Sequence, residues 1–371
     1  MSALFTPFRL GAVPVANRIV VSPMCQYVAE DGRATEWHQV HYATMALSGA
    51  GVTFIESTSV EPAGRITPGD LGLWDDATQD ALAKVISMVR KTVDTKIVLQ
   101  LAHAGRKASS YEPWNSGQQI PIAKGGWKTY APSALPQVDG EELPEALDSE
   151  GIDRVKQAFA AATRRANEIG VDGVELHGGH GYLIHQFLSP ISNRRADQYG
   201  GALENRFRFP LEIFDIVRSQ LAPEKPLGIK VSASDWLDDG WDLEQTVAFA
   251  KALKSRNADW IAASSGGISP KQQIKPAPGY QVPFAEGLKR ETGLATIAVG
   301  LITDPHSAEE IVASGKADLV ALARGMLYDP RWPWHAAKAL KSTIAAPPPS
   351  YWRATPAGHA DLFEATTHGA R

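Results

Sequence analysis

Two imidazoles and a phenol lie close together in His177-Gly178-Gly179-His180-Gly181-Tyr182, separated by glycines that let backbone or a ligand approach closely. Histidines at this spacing could share a metal ion, or could donate two hydrogen bonds to one oxygen of a bound molecule. A zinc site normally draws on at least three protein ligands. The acidic residues near this pair are not helically spaced from it, and the sequence holds no H-E-x-x-H pattern. Paired donation to a carbonyl or nitro oxygen is the better use of the two rings, with a zinc-dependent barrel hydrolase as the alternative. Cys25 is the single cysteine, which excludes an intrachain disulfide, a cysteine-ligated iron–sulfur cluster and a Cys-rich zinc site.

The elements that must position these groups alternate along the chain. Short apolar runs at 19–24, 52–60, 96–101, 173–177, 227–232, 260–264, 296–299 and 319–322 read as strands. Helical periodicity falls between them at 37–47, 77–93, 152–169, 204–220, 243–256, 283–292 and 305–314. Eight strands alternating with helices demand a parallel sheet, and runs without polar alternation suit strands buried on both faces. A doubly wound sheet competes with a barrel. Polar, Gly-rich and His-rich punctuation after the C-terminal end of nearly every strand favours the barrel, which collects its site there. The expected fold is a single (β/α)8 TIM barrel over 1–340 with an N-terminal cap segment and a long loop after the third strand. Residues 341–371, rich in Pro and Ala, are expected to form an extended tail.

The chain of 371 residues, 44% hydrophobic and 21% charged, has ample apolar surface for one large core. A net charge of −4 gives no electrostatic support for binding nucleic acid or an anionic membrane. The opening ten residues contain one Arg and are broken by Pro7, and no later run approaches a membrane span, so a cytoplasmic location is expected.

Several blocks carry a resemblance. They are Ser22-Pro23-Met24-Cys25-Gln26-Tyr27, Gln100-Leu101-Ala102-His103-Ala104-Gly105-Arg106-Lys107-Ala108, the His177 to Tyr182 block, Phe187-Leu188-Ser189-Pro190, Asn193-Arg194-Arg195, Asp197-Gln198-Tyr199-Gly200-Gly201 and Glu204-Asn205-Arg206-Phe207-Arg208-Phe209. In this order the sequence resembles the Old Yellow Enzyme family, and within it the short-chain, thermophilic-like class, over nearly its whole length. The resemblance implies tightly bound FMN, NAD(P)H as reductant, and reduction of an activated alkene such as an enone, enal, maleimide or nitroalkene. Ser22, Pro23, Met24 and Cys25 would then lie along the flavin, Ser59 would touch it through its backbone, and Gln100 would meet the pyrimidine edge. The family normally places Arg near N1 and the C2 carbonyl. This sequence has Lys230, which keeps the charge and loses the planar fork. Gly300, Ala323 and Arg324 would hold the phosphate at the loops after strands seven and eight. His177 and His180 would grip the substrate's activating group, Tyr182 would protonate the α-carbon, and Tyr27 would contact the substrate.

In this class the C-terminus reaches a neighbouring subunit's site with an Arg, and Tyr351-Trp352-Arg353 matches that feature, implying a homodimer or homotetramer with a shared site. Larger relatives that add an iron–sulfur cluster are excluded by the cysteine count. A flavin-binding protein without turnover is a further alternative.

Overall fold

The structure is a computed structural model and describes residues 2–364, so part of the expected tail, 365–371, lies outside the described residues. Eight parallel strands close a barrel: β1 (Ile19–Val21), β2 (Val52–Ser59), β3 (Lys96–Ala102), β4 (Gly173–Gly178), β5 (Leu227–Ser232), β6 (Trp260–Ser264), β7 (Ala295–Ala298) and β8 (Leu319–Leu322). Closure is made by β8 against β1, with Val320 opposite Ile19 and Leu322 opposite Val21. That pairing rules out the doubly wound sheet, whose edge strands never meet. The crossovers carry helices α1 (Glu36–Ala46), α2 (Asp76–Thr92), α3 (Ser149–Glu168), α4 (Leu183–Leu188), α5 (Leu203–Gln220), α6 (Leu243–Lys254), α7 (Val282–Thr292) and α8 (Pro305–Ala313). Four of them start on an aspartate cap: Asp75, Asp148, Asp242 and Asp304 each accept a backbone N–H from three residues on, satisfying a donor the helix cannot.

Strand parity sorts the side chains into two apolar layers. Val174, Leu176, Ile229, Val231, Ile261 and Ala263 face outward and pack with helix residues such as Phe159, Ile213 and Phe249. Val20, Val52, Phe54, Val98, Trp260, Ile297 and Leu319 fill the barrel, stoppered by Leu10 and Val15 of the antiparallel hairpin formed by Phe8–Leu10 and Val13–Val15. Gly228 is required inside this layer, because a Cβ there would sit 2.1 Å from the Trp260 indole. Towards the C-terminal end of the strands the buried residues turn polar, with Glu56, Gln100, Glu175, Lys230 and Ser264.

Two features depart from the sequence reading. The helices α4, α9 (Arg324–Tyr328) and α10 (Trp332–Ala339) were not marked by periodicity. All six residues of α4 are buried, and a helix covered on every side has no amphipathic stripe to read. The described part of the tail, 341–364, is not extended throughout. Pro349–Ala354 winds into a 3-10 turn, Ile344 bridges Phe363, and Ile344, Leu362 and Phe363 bury themselves with Ala337 against Phe5 and Trp334. Burial of these scattered apolar residues outweighs the extended preference of the Pro-rich run between them. Among the described residues no helix is long and apolar enough to cross a membrane.

Candidate active site

The parity that sends Leu176 into the outer layer turns Glu175 and His177 of β4 towards the barrel axis. Gln100 of β3 stands opposite Glu175, and Lys230 of β5 stands opposite His177. The Glu175 carboxylate accepts a hydrogen bond from Gln100 Nε2 at 2.7 Å and one from Trp260 Nε1 at 3.1 Å. Lys230 Nζ donates to Ser22 Oγ at 3.1 Å, joining β5 to the end of β1. Burial lowers the Lys230 ammonium's pKa, and the charge of Glu175 opposes that fall.

Above this polar floor the His177 and His180 ring centroids are 5.1 Å apart, and the Tyr182 ring stands edge-on to His177 at 4.8 Å. His180 adopts φ +54°, a left-handed conformation that L side chains rarely take, and it is held at three points. Its N–H donates to Ser232 Oγ at 2.8 Å, its carbonyl accepts Lys107 Nζ at 2.8 Å, and its Nε2 lies 2.8 Å from Ser264 Oγ. Gly181 follows at φ +75°, and a Cβ there would stand 2.0 Å from the Gly267 carbonyl oxygen. His177 Nδ1 accepts the Gly179 N–H at 3.3 Å, which leaves the proton of a neutral ring on Nε2.

Burial drives the pKa of both imidazoles well below the ordinary histidine value. His180, Lys230 and Lys107 add to this for His177, and Lys230 and Lys107 for His180. Both rings are therefore neutral near pH 7, each with one N–H to give. Burial pushes the Tyr182 phenol up, with Cys25 and Tyr27 adding, so it keeps its proton. Burial likewise raises the Cys25 thiol, with help from Asp70 and Glu56. Cys25 and Tyr182 pack together against an apolar patch of Ile66, Ala104 and Ala108.

A cavity of about 260 Å3 gathers Ser22, His180, Lys230, Gly300, Ala323 and Arg324. It also gathers Ser264, Ser265 and Gln281, which sequence reading did not single out. Gln281 Nε2 donates to Ser265 Oγ at 2.7 Å and to Ser264 Oγ at 3.2 Å. Their signal was available, since paired serines before Gly266-Gly267 stand at a strand's C-terminal end. Glu175 and Lys107 were also passed over. A lone carboxylate in an apolar strand, two residues before His177, was the clue to the first.

Pro23 and Met24 follow Ser22 and are half-buried, and Tyr27, three residues beyond Met24, adopts φ +57°. Ser59 spends its N–H on Leu71, its carbonyl on Leu73 and its hydroxyl on the Glu61 carbonyl, so its polar groups are engaged within the chain. Arg353 is exposed in the tail's 3-10 turn. The preceding residues Ala345, Ala346, Pro347 and Pro348 line a cleft with Ala16, Gly51 and Lys96, at the N-terminal ends of the strands and opposite the imidazole pair.

The donor set fits a flavin mononucleotide. A buried ammonium and an amide serve a polar ring edge, and backbone at Gly300, Ala323 and Gly325 with the Arg324 guanidinium suits a phosphate. Among the described residues no group of three or more His, Cys, Asp or Glu side chains is placed to hold a metal ion, so the zinc alternative lacks its third ligand.

Comparison with known proteins agrees. Residues 3–343 match the NADH:flavin oxidoreductase / NADH oxidase family. The chain is 45% identical over 345 residues to an NADPH dehydrogenase of Geobacillus sp. (strain WCH70), covering 92% of this chain and 96% of that one. It is 42% identical to an NADPH dehydrogenase of Bacillus subtilis (strain 168), covering 93% and 97%. Among solved structures, morphinone reductase superposes with a TM-score of 0.76 at 28% identity, covering 94% of this chain and 92% of that one. Enzymes of this type bind FMN and use NAD(P)H. The chain belongs to the NADH:flavin oxidoreductase / NADH oxidase family and is an NAD(P)H-dependent flavin oxidoreductase of the Old Yellow Enzyme type.

Proposed function

We propose that the protein is an ene-reductase acting on activated alkenes: enones, enals, maleimides and nitroalkenes. The observation that carries this reading is the pair of neutral imidazoles 5.1 Å apart, His177 buried and His180 half-buried, with a protonated phenol packed against one of them. Bound flavin supplies a hydride, taken from NAD(P)H, for the β-carbon of the alkene. His177 and His180 donate two hydrogen bonds to the activating oxygen, where negative charge builds as the β-carbon accepts the hydride. Such donors in a water-poor site are each worth about 10²- to 10³-fold in rate. Tyr182 delivers its proton to the α-carbon, and its raised pKa keeps that proton in place until carbanion character develops.

Lys230 meets the negative charge of the reduced cofactor, and Gln100, oriented by Glu175, meets its polar edge. Cys25 and Ser22 would lie along the same ring, and Gly300, Ala323 and Arg324 would hold the phosphate. Arg353 completes the site of a neighbouring subunit. Its exposure, and the position of the preceding Ala345, Ala346, Pro347 and Pro348 at the N-terminal ends of the strands, support that assignment.

The test is stimulation of NADPH oxidation by 2-cyclohexenone with the purified yellow protein, followed by Tyr182→Phe. Wild type consumes enone and NADPH in equal amounts. The variant keeps flavin reduction and loses about 10²-fold or more in reoxidation by enone. Bound FMN without enone-dependent turnover refutes the reading.

A further inference from the structure

The long excursion after β3 carries an aromatic side chain that the chemistry above does not use. Residues 110–119 form a closed loop. Ser110 and Gln119 bridge its base, Tyr111 N–H donates to the Gln118 carbonyl at 2.9 Å, and the Asn115 and Gly117 N–H groups both reach the Glu112 carbonyl. The base is tied to the apolar patch against which Cys25 and Tyr182 pack, since Ser110 N–H donates to the Ile66 carbonyl at 2.8 Å. At the tip a 3-10 turn, Pro113–Asn115, holds up Trp114, which is 70% exposed. A tryptophan left this open on an ordered loop leaves most of its apolar area in water. One neighbour fixes its position: the Tyr27 ring, edge-on at 5.7 Å with an interplanar angle of 76°.

Tyr27 is itself anchored. Its carbonyl oxygen lies where a Cβ on Gly69 would come within 2.3 Å, so the backbone of the two segments is in close contact. Cys25 and Tyr182 cover Ile66, Ala104 and Ala108. Tyr182 and Cys25 share one apolar patch, and Tyr27, two residues beyond Cys25, carries the contact outward to Trp114 at the surface. A small cyclic enone held at His177 and His180 needs only the inner part. The outer part suits a flat substituent that stacks on an indole.

We infer that Trp114 forms the outer wall of the substrate pocket and selects activated alkenes that carry an aromatic substituent. The inference rests on the ene-reductase reading. Aromatic contact with a preformed wall favours such substrates over small ones by about tenfold, the equivalent of about 1.4 kcal/mol.

The test uses the FMN-loaded Trp114→Ala and Trp114→Phe proteins. Two phenols, phenol and 4-phenylphenol, are titrated into the oxidised enzyme and followed by the long-wavelength absorbance of the flavin. Trp114→Ala should weaken 4-phenylphenol about tenfold while changing phenol less than about twofold, and Trp114→Phe should restore most of the loss. KM for 4-phenyl-3-buten-2-one should rise in parallel, with that for 2-cyclohexenone unchanged. Equal effects on both phenols, or none on either, overturn the inference while leaving the ene-reductase reading intact. Failure of wild type to turn over either enone overturns both.

Discussion

Replacing Glu175 by Gln keeps the shape of the side chain and removes its charge, at the point where the floor of the site depends on it most. The carboxylate accepts from both Gln100 Nε2 and Trp260 Nε1, whereas the amide has one oxygen and brings a donor of its own. Gln100 can flip its amide to meet that donor, which reverses the group it presents to the cavity. Lys230 meanwhile loses the charge that supports its protonation. Two unit charges near each other at an effective dielectric of about 20 interact by about 2 kcal/mol once out of direct contact. A mismatched buried hydrogen bond adds about 1 kcal/mol. Burial also raises the Glu175 carboxyl, so removing its charge relieves part of this cost, and the apoprotein is expected to lose at most about 3 kcal/mol in urea unfolding at pH 7.

The sign of the pH dependence follows from Lys230. Its folded pKa lies below its unfolded value, so a penalty for the buried cation is present at pH below the folded pKa and is relieved as pH rises through it. Without Glu175 that penalty grows, and wild type alone loses stability with rising pH as its raised Glu175 carboxyl ionises, so the deficit against wild type should shrink as pH rises towards the ordinary lysine range. In the FMN-loaded enzyme the midpoint potential should rise, because an unopposed Lys230 favours the negative charge of the reduced cofactor. Equal stability of variant and wild type from pH 6 to 9, with an unchanged potential, would refute the charge-compensation argument.

Removing either ring by His177→Ala or His180→Ala should cut kcat for enone reduction about 10²- to 10³-fold, as single oxyanion donors do. Because both pKa values are depressed, wild-type kcat/KM should show no acid limb near 6.5 between pH 6 and 8, and such a limb would contradict neutral donors. Glu56, fully buried in β2, has its carboxyl pushed up to about 8 by burial, against the pull of the Gln26 N–H and the Tyr42 hydroxyl. Between an unfolded value of about 4.3 and pH 8 the folded state thus holds the extra proton. The group's contribution to stability falls as pH rises, by about 1.4 kcal/mol per pH unit. Glu56→Gln should accordingly gain on wild type from pH 5 to pH 8 in urea titrations, and a constant difference would show the carboxyl is not so perturbed. Gly181→Ala forces a Cβ to 2.0 Å from the Gly267 oxygen at φ +75°, so a loss of at least about 2 kcal/mol is expected together with weakened phenol binding; a variant of wild-type stability would mean the turn is soft.

Period and punctuation in the sequence were enough for the eight strands, seven of the crossover helices and the end of the barrel that bears the site, because parallel strands buried on both faces must be apolar and helices covering them must be striped. The His177 to Tyr182 block was legible as a pair of hydrogen-bond donors beside a phenol because those residues are contiguous in the chain, whereas flavin chemistry came only from the family resemblance of the blocks taken together. Contacts between distant segments were out of reach. Nothing local says that Glu175 orients Gln100 from the next strand, that Lys107 and Ser264 grip His180, or that Trp114 arrives over Tyr27. Nor does local composition say that the Pro-rich tail folds back through Ile344 and Phe363. Side-chain type and spacing determined which chemistry this protein could perform. Closure of the barrel decided which groups stand together in a water-poor interior, and it is that burial which leaves the two histidines neutral and the tyrosine protonated.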